Sequence, residues 1–128
     1  RMIPITHFEG RLVADPEIKE TTTNVVTRFR LACSDNRLTA GGAWESVRQF
    51  FITVKAWDHL AKPASELSKG EQVTVKGKLE TRSWTDDQGN QRSGVELNAM
   101  DILTSIVDAR TGVQAPAYSD VRAQEAPF

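Results

Sequence analysis

The sequence is poor in the residues that build disulfide frameworks, metal sites and membrane spans. Among 128 residues it has one cysteine, Cys33, and two histidines, His7 and His59. A single cysteine excludes an intrachain disulfide framework and favours a reducing compartment, and these three side chains are too few for an ordinary structural zinc site. There is no run of about 18 apolar residues and no secretory signal pattern at the start. We therefore expect a cytoplasmic protein with no metal and no cofactor.

Neither sign of charge dominates the chain. It has 16 lysine and arginine residues against 17 aspartate and glutamate residues, which gives a formal net charge of −1. This balance gives no reason to expect nucleic acid as a partner, so such evidence has to come from where the basic residues lie. The sequence also lacks a phosphate-binding glycine loop, a Gly-x-Ser-x-Gly motif and paired histidines at helical spacing. We therefore expect that the protein is not an enzyme and assign it no catalytic residue.

The chain does have a series of short runs in which apolar and polar residues alternate between turn residues. Five of these runs predict strands, at residues 5–14, 24–34, 45–57, 72–84 and 91–107. Residues 58–68 follow helical spacing instead, with Asp58 as the expected N-cap and Gly70 as the closing glycine. Five strands with one short helix between the third and the fourth predict an all-β protein, a five-stranded Greek-key barrel of the OB-fold class.

The alternation divides the chain into one domain and a tail. Residues 1–108 are predicted to form the OB-fold domain, with exposed loops at residues 35–42 and 86–90. After Ala109 the alternation stops, and the remaining segment contains two prolines and few apolar residues. Residues 109–128 are therefore predicted to be a flexible C-terminal tail.

The parity of the residues sorts each strand into an inward and an outward face, because side chains two apart share a face. The apolar parity predicts the core of the second, third and fourth strands: Phe29, Leu31, Cys33, Ile52, Val54, Ala56, Val73, Val75, Gly77 and Leu79. The opposite parity of the same strands interleaves basic and aromatic residues and one acidic residue, Glu80. The basic and aromatic residues are Arg28, Arg30, Phe51, Lys55, Trp57, Lys76, Lys78, Arg82 and Trp84.

Large aromatic side chains on a solvated face need a partner. Single-stranded nucleic acid is a natural one, since every base has a flat apolar surface and every link has a phosphate. Stacking of one base on an aromatic side chain is worth roughly 1–3 kcal/mol, and each phosphate contact adds a salt-dependent contribution. The alternative is that these aromatics pack against another subunit or the helix. The number of basic neighbours favours nucleic acid, lying across the second, third and fourth strands.

Several segments, in their order and spacing, resemble the family of bacterial single-stranded DNA-binding proteins. They cover residues 5–107 and include Gly10-Arg11-Leu12, Asp15-Pro16-Glu17, the run from Val26 to Ala32, the run from Phe51 to Trp57, Leu67 to Gly70, Val75 to Leu79 and Arg82-Ser83-Trp84 with Gly89. The resemblance implies a non-enzymatic OB-fold protein of the bacterial nucleoid. Such proteins form homotetramers, as dimers of dimers, and bind and protect single-stranded DNA in replication, recombination and repair.

The resemblance also implies roles for particular residues. Three aromatic positions of the family's DNA path match Phe51, Trp57 and Trp84, and Lys69 falls at a basic position. A further family aromatic falls near Arg37, whose guanidinium could stack on a base or pair with a phosphate. At the C-terminus, Pro127 and Phe128 match the tip of the family's tail. The tail has few acidic residues, which argues against recruitment of other genome-maintenance proteins. A tail of this kind resembles that of a specialised second paralogue.

Four questions stay open at this stage. The chain could instead be an accessory OB-fold protein of the primosome type, which binds DNA weakly and works through protein contacts. Trp44 could be a displaced stacking residue or a loop anchor. Cys33 could be a buried thiol or form an interchain disulfide at a symmetric contact. The preference for DNA over RNA follows from the resemblance and not from the residues.

Overall fold

Six strands and one short helix make up the computed structural model, which describes residues 2–106 and 125–128. The elements are β1 (Ile5–Leu12), β2 (Glu17–Glu20), β3 (Val25–Leu38), β4 (Trp44–Trp57), α1 (Ala61–Ser65), β5 (Gln72–Thr85) and β6 (Gln91–Thr104). Within these residues no helix has the length and apolar character needed to cross a membrane. Residues 107–124, which include most of the predicted tail (residues 109–128), lie outside the described residues.

The strands close into a barrel in the order β1-β5-β6-β4-β3, and β1 returns to β3 through the pairs Arg11–Ala32 and Leu12–Leu31. All neighbouring strands are antiparallel except β4 and β6, which are parallel. This parallel pair arises because the chain crosses over through α1 and β5 before β6 inserts beside β4. The topology is that of an OB-fold, and the predicted fold class is confirmed.

The barrel interior is filled mainly by residues whose parity predicted the core, together with Leu12 and Leu97, for which no prediction was made. The buried cluster consists of Leu12, Phe29, Leu31, Ile52, Val54, Val73, Val75 and Leu97. Cys33 and Leu79 lie at its margin and are partly buried. At Gly77 an added Cβ would lie 2.2 Å from the carbonyl oxygen of Asn98, so glycine is needed where β5 and β6 approach each other most closely. Burial of each branched aliphatic side chain contributes about 1.5–3 kcal/mol.

Several local predictions were wrong. The segment after Pro16 forms the additional edge strand β2, which pairs with β3 although all its side chains are exposed. Asp58 is not an N-cap, because it has a φ of 53° and its side chain caps no helix; a 3-10 turn at Asp58–Leu60 precedes α1. The helix ends at Ser65, and Gly70 (φ 85°) lies in the following turn, where its N–H donates to the carbonyl oxygen of Leu12.

The first half of the loop predicted at residues 35–42 is strand. β3 continues to Leu38 and β4 begins at Trp44, so the two strands extend past the barrel as an exposed two-stranded ribbon. The turn at its end is closed by the N–H of Thr39, which donates to the carbonyl oxygen of Ala43 (2.7 Å), and Gly42 supplies the positive φ of 84°. We call residues 34–38 with residues 44–49 the β3–β4 ribbon.

Candidate nucleic-acid interface

The outer surface of four adjacent strands, in the order β3-β4-β6-β5, carries most of the residues predicted to bind nucleic acid. One row across these strands is formed by paired residues, Arg28 with Lys55, Lys55 with Asn98 and Asn98 with Lys78. Because paired residues point to the same face of a sheet, their side chains line one surface. We call this surface the outer face.

The outer face includes β6, which the sequence analysis did not predict to be part of it. β6 lies between β4 and β5, so the second, third and fourth predicted strands are not three neighbours. β6 contributes Gly94, Glu96 and Asn98 to the surface between the predicted aromatics. The expected arrangement, a basic and aromatic surface over three strands, is thereby corrected to a four-strand surface with an acidic residue near its centre.

Trp57 stands at one end of the outer face with its ring oriented by a hydrogen-bond chain. Its Nε1 donates to Oδ1 of Asn98 (3.2 Å), and Nδ2 of Asn98 donates to Oε2 of Glu80 (2.7 Å). The side chain is nevertheless 40% exposed, so its ring surface remains accessible. An exposed indole held by its polar edge is suited to stack against another flat ring.

Trp84 and Phe51 border a shallow groove near the other end of the outer face. The ring of Trp84 lies over Gly94, where an added Cβ would make an ordinary van der Waals contact with the ring at 3.5 Å. The groove has a volume of about 280 Å³, and Arg30 and Arg82 also line it. Aromatic and guanidinium groups therefore surround one cavity on this face.

Two buried charged side chains, Lys55 and Glu96, form a cluster at the centre of the outer face with the partly exposed Arg82. Lys55 is 5% exposed and Glu96 7% exposed, and the Nζ of Lys55 lies 3.3 Å from Oε1 of Glu96. The Nη1 of Arg82 lies 3.8 Å from Oε2 of the same carboxylate. Burial lowers the pKa of Lys55, and the Glu96 carboxylate opposes this effect. Lys55 therefore lies under the outer face, and its ammonium group is paired with the carboxylate of Glu96.

The C-terminal tip lies on the same face. The Nη1 of Arg28 donates to the carbonyl oxygen of Ala126 (2.9 Å), and the hydroxyl of Thr53 donates to Oε1 of Glu125 (3.1 Å). The guanidinium of Arg28 also lies 4.4 Å from the ring centre of Phe128. Glu125 and Ala126 line the groove beside Trp84, so the chain's own end occupies part of this surface.

Three of the predicted site residues lie away from the centre of the outer face. Arg37 is on the β3–β4 ribbon and forms an ion pair with Glu45, with Nε and Oε1 2.6 Å apart. Lys69 is in the turn before β5, where its N–H donates to Oδ1 of Asp15. Lys76 has the outward parity but lies two residues beyond Lys78, next to β1. The remaining predicted residues come together on the outer face.

Cys33 lies away from the outer face, partly buried at the margin of the core near Glu9. Burial, and to a smaller extent the Glu9 carboxylate, raise the pKa of the thiol to about 11. The thiolate, which is the form that enters disulfide exchange, is therefore scarce at neutral pH. The interchain disulfide remains a prediction.

The fold and this surface define an OB-fold protein with an outer sheet face of aromatic and cationic side chains. Comparison with known proteins gives the family, because residues 6–105 match the single-strand binding protein family. The chain belongs to that family.

Individual relatives agree with this assignment. The chain is 38% identical to the single-stranded DNA-binding protein of Corynebacterium glutamicum over 110 residues, which are 82% of this chain and 48% of that protein. It is 31% identical to single-stranded DNA-binding protein 2 of Streptomyces coelicolor over 107 residues, 81% of this chain and 54% of that protein. The chain thus spans about half the length of these relatives.

A solved structure is similar as well. The crystal structure of the small single-stranded DNA-binding protein from Streptomyces coelicolor matches with a TM-score of 0.70 at 26% sequence identity. The match covers 84% of this chain and 98% of that chain. The barrel described above is therefore similar to nearly the whole of that solved chain.

Proposed function

We propose that this protein binds single-stranded DNA without sequence preference and protects it, without catalysing a reaction. The observation that supports this most is the outer face, where an exposed and oriented Trp57 shares one surface with Phe51, Trp84 and several cations. Flat aromatic surfaces accept any base, and cations beside them accept the phosphates, which is the combination that sequence-independent binding needs.

The cations fall into three groups in this proposal. Arg28, Arg30, Lys78 and Arg82 flank the aromatics on the outer face and are proposed to contact phosphates directly. Lys55 is held by Glu96 beneath them and acts mainly by maintaining the surface. Arg37, Lys69 and Lys76 lie farther out, where a longer strand would reach them.

The wider roles are part of the same proposal. Two relatives are named single-stranded DNA-binding proteins, which supports DNA as the ligand of this chain. We propose that it assembles as a homotetramer, as a dimer of dimers, and acts in replication, recombination and repair at the bacterial nucleoid in the cytoplasm. An assembly mass measured by light scattering tests the tetramer against the dimer that an accessory protein of the primosome type would form.

Titration with oligo-dT tests the proposed function directly. We expect tryptophan fluorescence to be quenched as the oligomer binds, because Trp57 and Trp84 stack on bases. The logarithm of the binding constant should fall linearly with the logarithm of salt concentration between about 50 and about 200 mM, with a slope of about −0.7 for each phosphate contacted. Four direct contacts give a slope of about −3, whereas all eight predicted cations would give about −6.

An oligomer of about 8 nucleotides keeps the comparison to one barrel. Fluorescence that does not respond to oligo-dT at low salt would contradict the proposal and favour the accessory protein. Binding with a slope near −6 would keep the function but place Lys55 and the outlying cations in contact with phosphate.

Removal of the last four residues, 125–128, should tighten binding of oligo-dT. Ala126 and Glu125 occupy hydrogen-bonding groups of Arg28 and Thr53 on the outer face, and DNA has to displace them there. Because a face that is partly occupied binds with a proportionally reduced affinity, we expect a gain of roughly twofold to tenfold. Fluorescence anisotropy of a labelled oligomer at fixed salt measures this change.

Phe128→Ala is the control for the truncation. It removes only the ring that lies against Arg28 and leaves the main-chain contact of Ala126 in place, so we expect a smaller gain. An unchanged or weaker affinity after truncation would show that the tip does not compete with DNA.

A further inference from the structure

Trp44 is a large exposed aromatic side chain that the proposed function does not yet use. It begins β4 near the outer end of the β3–β4 ribbon, opposite Leu38, and it is 70% exposed. Its exposed area is available for contact with a partner, and the face of the ribbon on which it lies determines which partner it can reach.

A β-bulge in the ribbon changes the parity of β4. Asp35 pairs with Arg48, and the next residue of β3, Asn36, pairs with Ser46. Val47 is therefore an extra residue on β4 with no counterpart on β3. Beyond such a bulge the alternation of the bulged strand is shifted by one position, while that of its partner continues.

The shift brings Trp44 onto the same face as Phe51. The two are seven positions apart, so regular alternation would place them on opposite faces. Their partners on β3 are Leu38 and Ala32, which are six positions apart on a strand without an extra residue and share a face. Trp44 therefore continues the outer face, roughly 20 Å beyond Phe51 along the strand.

The two faces of the ribbon differ in chemistry. The face of Trp44 carries uncharged side chains that can form hydrogen bonds or apolar contacts: Ser34, Asn36, Leu38, Ser46 and Gln49. The opposite face carries the ion pairs of Arg37 with Glu45 and Arg48 with Asp35, and Phe50 stacks on Phe8 there. Among residues 2–106 and 125–128, none places a carboxylate between Trp44 and Phe51 on their shared face of the ribbon, so a phosphate backbone meets no negative charge from these residues there.

We propose that Trp44 is a further base-stacking residue, which extends the path of single-stranded DNA from the outer face along the β3–β4 ribbon. The inference rests on the proposed function. It also assigns stacking on this ribbon to Trp44 and not to Arg37, because Arg37 lies on the opposite face and is paired with Glu45.

A variant with one tryptophan tests this assignment. The chain has three tryptophans, so Trp57→Phe combined with Trp84→Phe leaves Trp44 as the only indole and keeps aromatic rings at the other two positions. An oligo-dT of about 15 nucleotides should quench Trp44 strongly, and one of about 5 nucleotides should do so only weakly. Anisotropy of the labelled oligomer reports binding separately. Binding without quenching would overturn the role of Trp44 alone, whereas absence of oligo-dT binding by the unsubstituted protein would overturn the proposed function.

Alanine substitution tests the contribution to affinity. Trp44→Ala should weaken binding of the longer oligomer about tenfold and leave the shorter one nearly unchanged. Leu38→Ala is the matched control, because it truncates the exposed apolar residue directly opposite. If both variants weaken binding equally, or if Trp44→Ala changes only the assembly mass, the assignment is wrong.

The bulge gives a test of the geometry itself. Deletion of Val47 in the single-tryptophan variant should give a regular strand in which Trp44 still pairs with Leu38 and lies six positions from Phe51, so that quenching is retained. Exchange of the two side chains in that deletion, Trp44→Glu with Glu45→Trp, should carry the indole to the opposite face and abolish quenching. Loss of quenching after the deletion, or persistent quenching after the exchange, would contradict the register argument. Urea unfolding of each variant confirms that the barrel is intact.

Discussion

Alanine at both Trp57 and Trp84 is expected to weaken binding of an oligo-dT by roughly 10²- to 10³-fold. Each ring supplies stacking worth roughly 1–3 kcal/mol, and every 1.4 kcal/mol corresponds to about a factor of ten in affinity. The two rings lie in different parts of the outer face, Trp57 against Asn98 and Trp84 over Gly94, so their contributions should be nearly additive. Anisotropy of a labelled oligomer measures the affinity without relying on the tryptophans.

Phe50→Ala is the matched control for this double variant. Phe50 is the immediate neighbour of Phe51 and is exposed, but it lies on the opposite face and stacks on Phe8 with ring centres 5.7 Å apart. Its truncation should leave affinity within about twofold, since its ring packs on Phe8 and not beside the rings of Trp57 and Trp84. Equal losses in the control and the double variant would show that DNA does not follow this face. Trp57→Phe with Trp84→Phe should retain most of the affinity.

The barrel could be predicted from the sequence because its strands each have one buried side. β5 shows this best, where Val73 and Val75 alternate with polar residues and are almost fully buried. The elements that were missed have no buried side. β2 is exposed at all four residues, and the β3–β4 ribbon is exposed over most of its length, so neither leaves an alternating pattern that distinguishes strand from loop.

The part of the site that could be predicted consists of residues that share a face because of the alternation within a single strand. Phe51 and Trp57 share the outward parity of β4, and the structure places them on one face. The groups that surround them come from strand order and register, which single-strand patterns do not contain. Glu96 and Asn98 reach the face because β6 inserts between β4 and β5. Trp44 reaches it because Val47 is an extra residue.

Glu96, which lies under the outer face because β6 inserts between β4 and β5, also affects the stability of the folded state. Glu96 lies under the outer face with Lys55 at 3.3 Å and Arg82 at 3.8 Å, and its side chain is almost fully buried. A buried carboxylate between two cations neutralises charges that would otherwise be desolvated without a partner. Lys55 is therefore expected to matter more for the folded state than for phosphate binding.

Glu96→Gln is accordingly expected to lower the free energy of unfolding by about 3–5 kcal/mol, the usual cost of leaving a buried charge without its partner. Lys55→Met should cost less, since Arg82 still neutralises Glu96, and its effect on oligo-dT affinity should be below about threefold. Lys55→Met combined with Glu96→Gln should recover much of the stability lost in Glu96→Gln alone, because no buried lysine is then left unpaired. Urea unfolding at neutral pH measures all three variants.

The exposed pair of Arg37 and Glu45 is the control for this comparison. The Nε of Arg37 and Oε1 of Glu45 are 2.6 Å apart, closer than the charged atoms of Lys55 and Glu96. Both side chains are largely exposed to solvent, however, so Glu45→Gln should lower the free energy of unfolding by less than about 1 kcal/mol. Burial, and not distance, then sets the size of the effect. A small loss in Glu96→Gln, or a large loss of DNA affinity in Lys55→Met with unchanged stability, would contradict this account. The second result would instead make Lys55 a direct phosphate contact, as parity alone suggested.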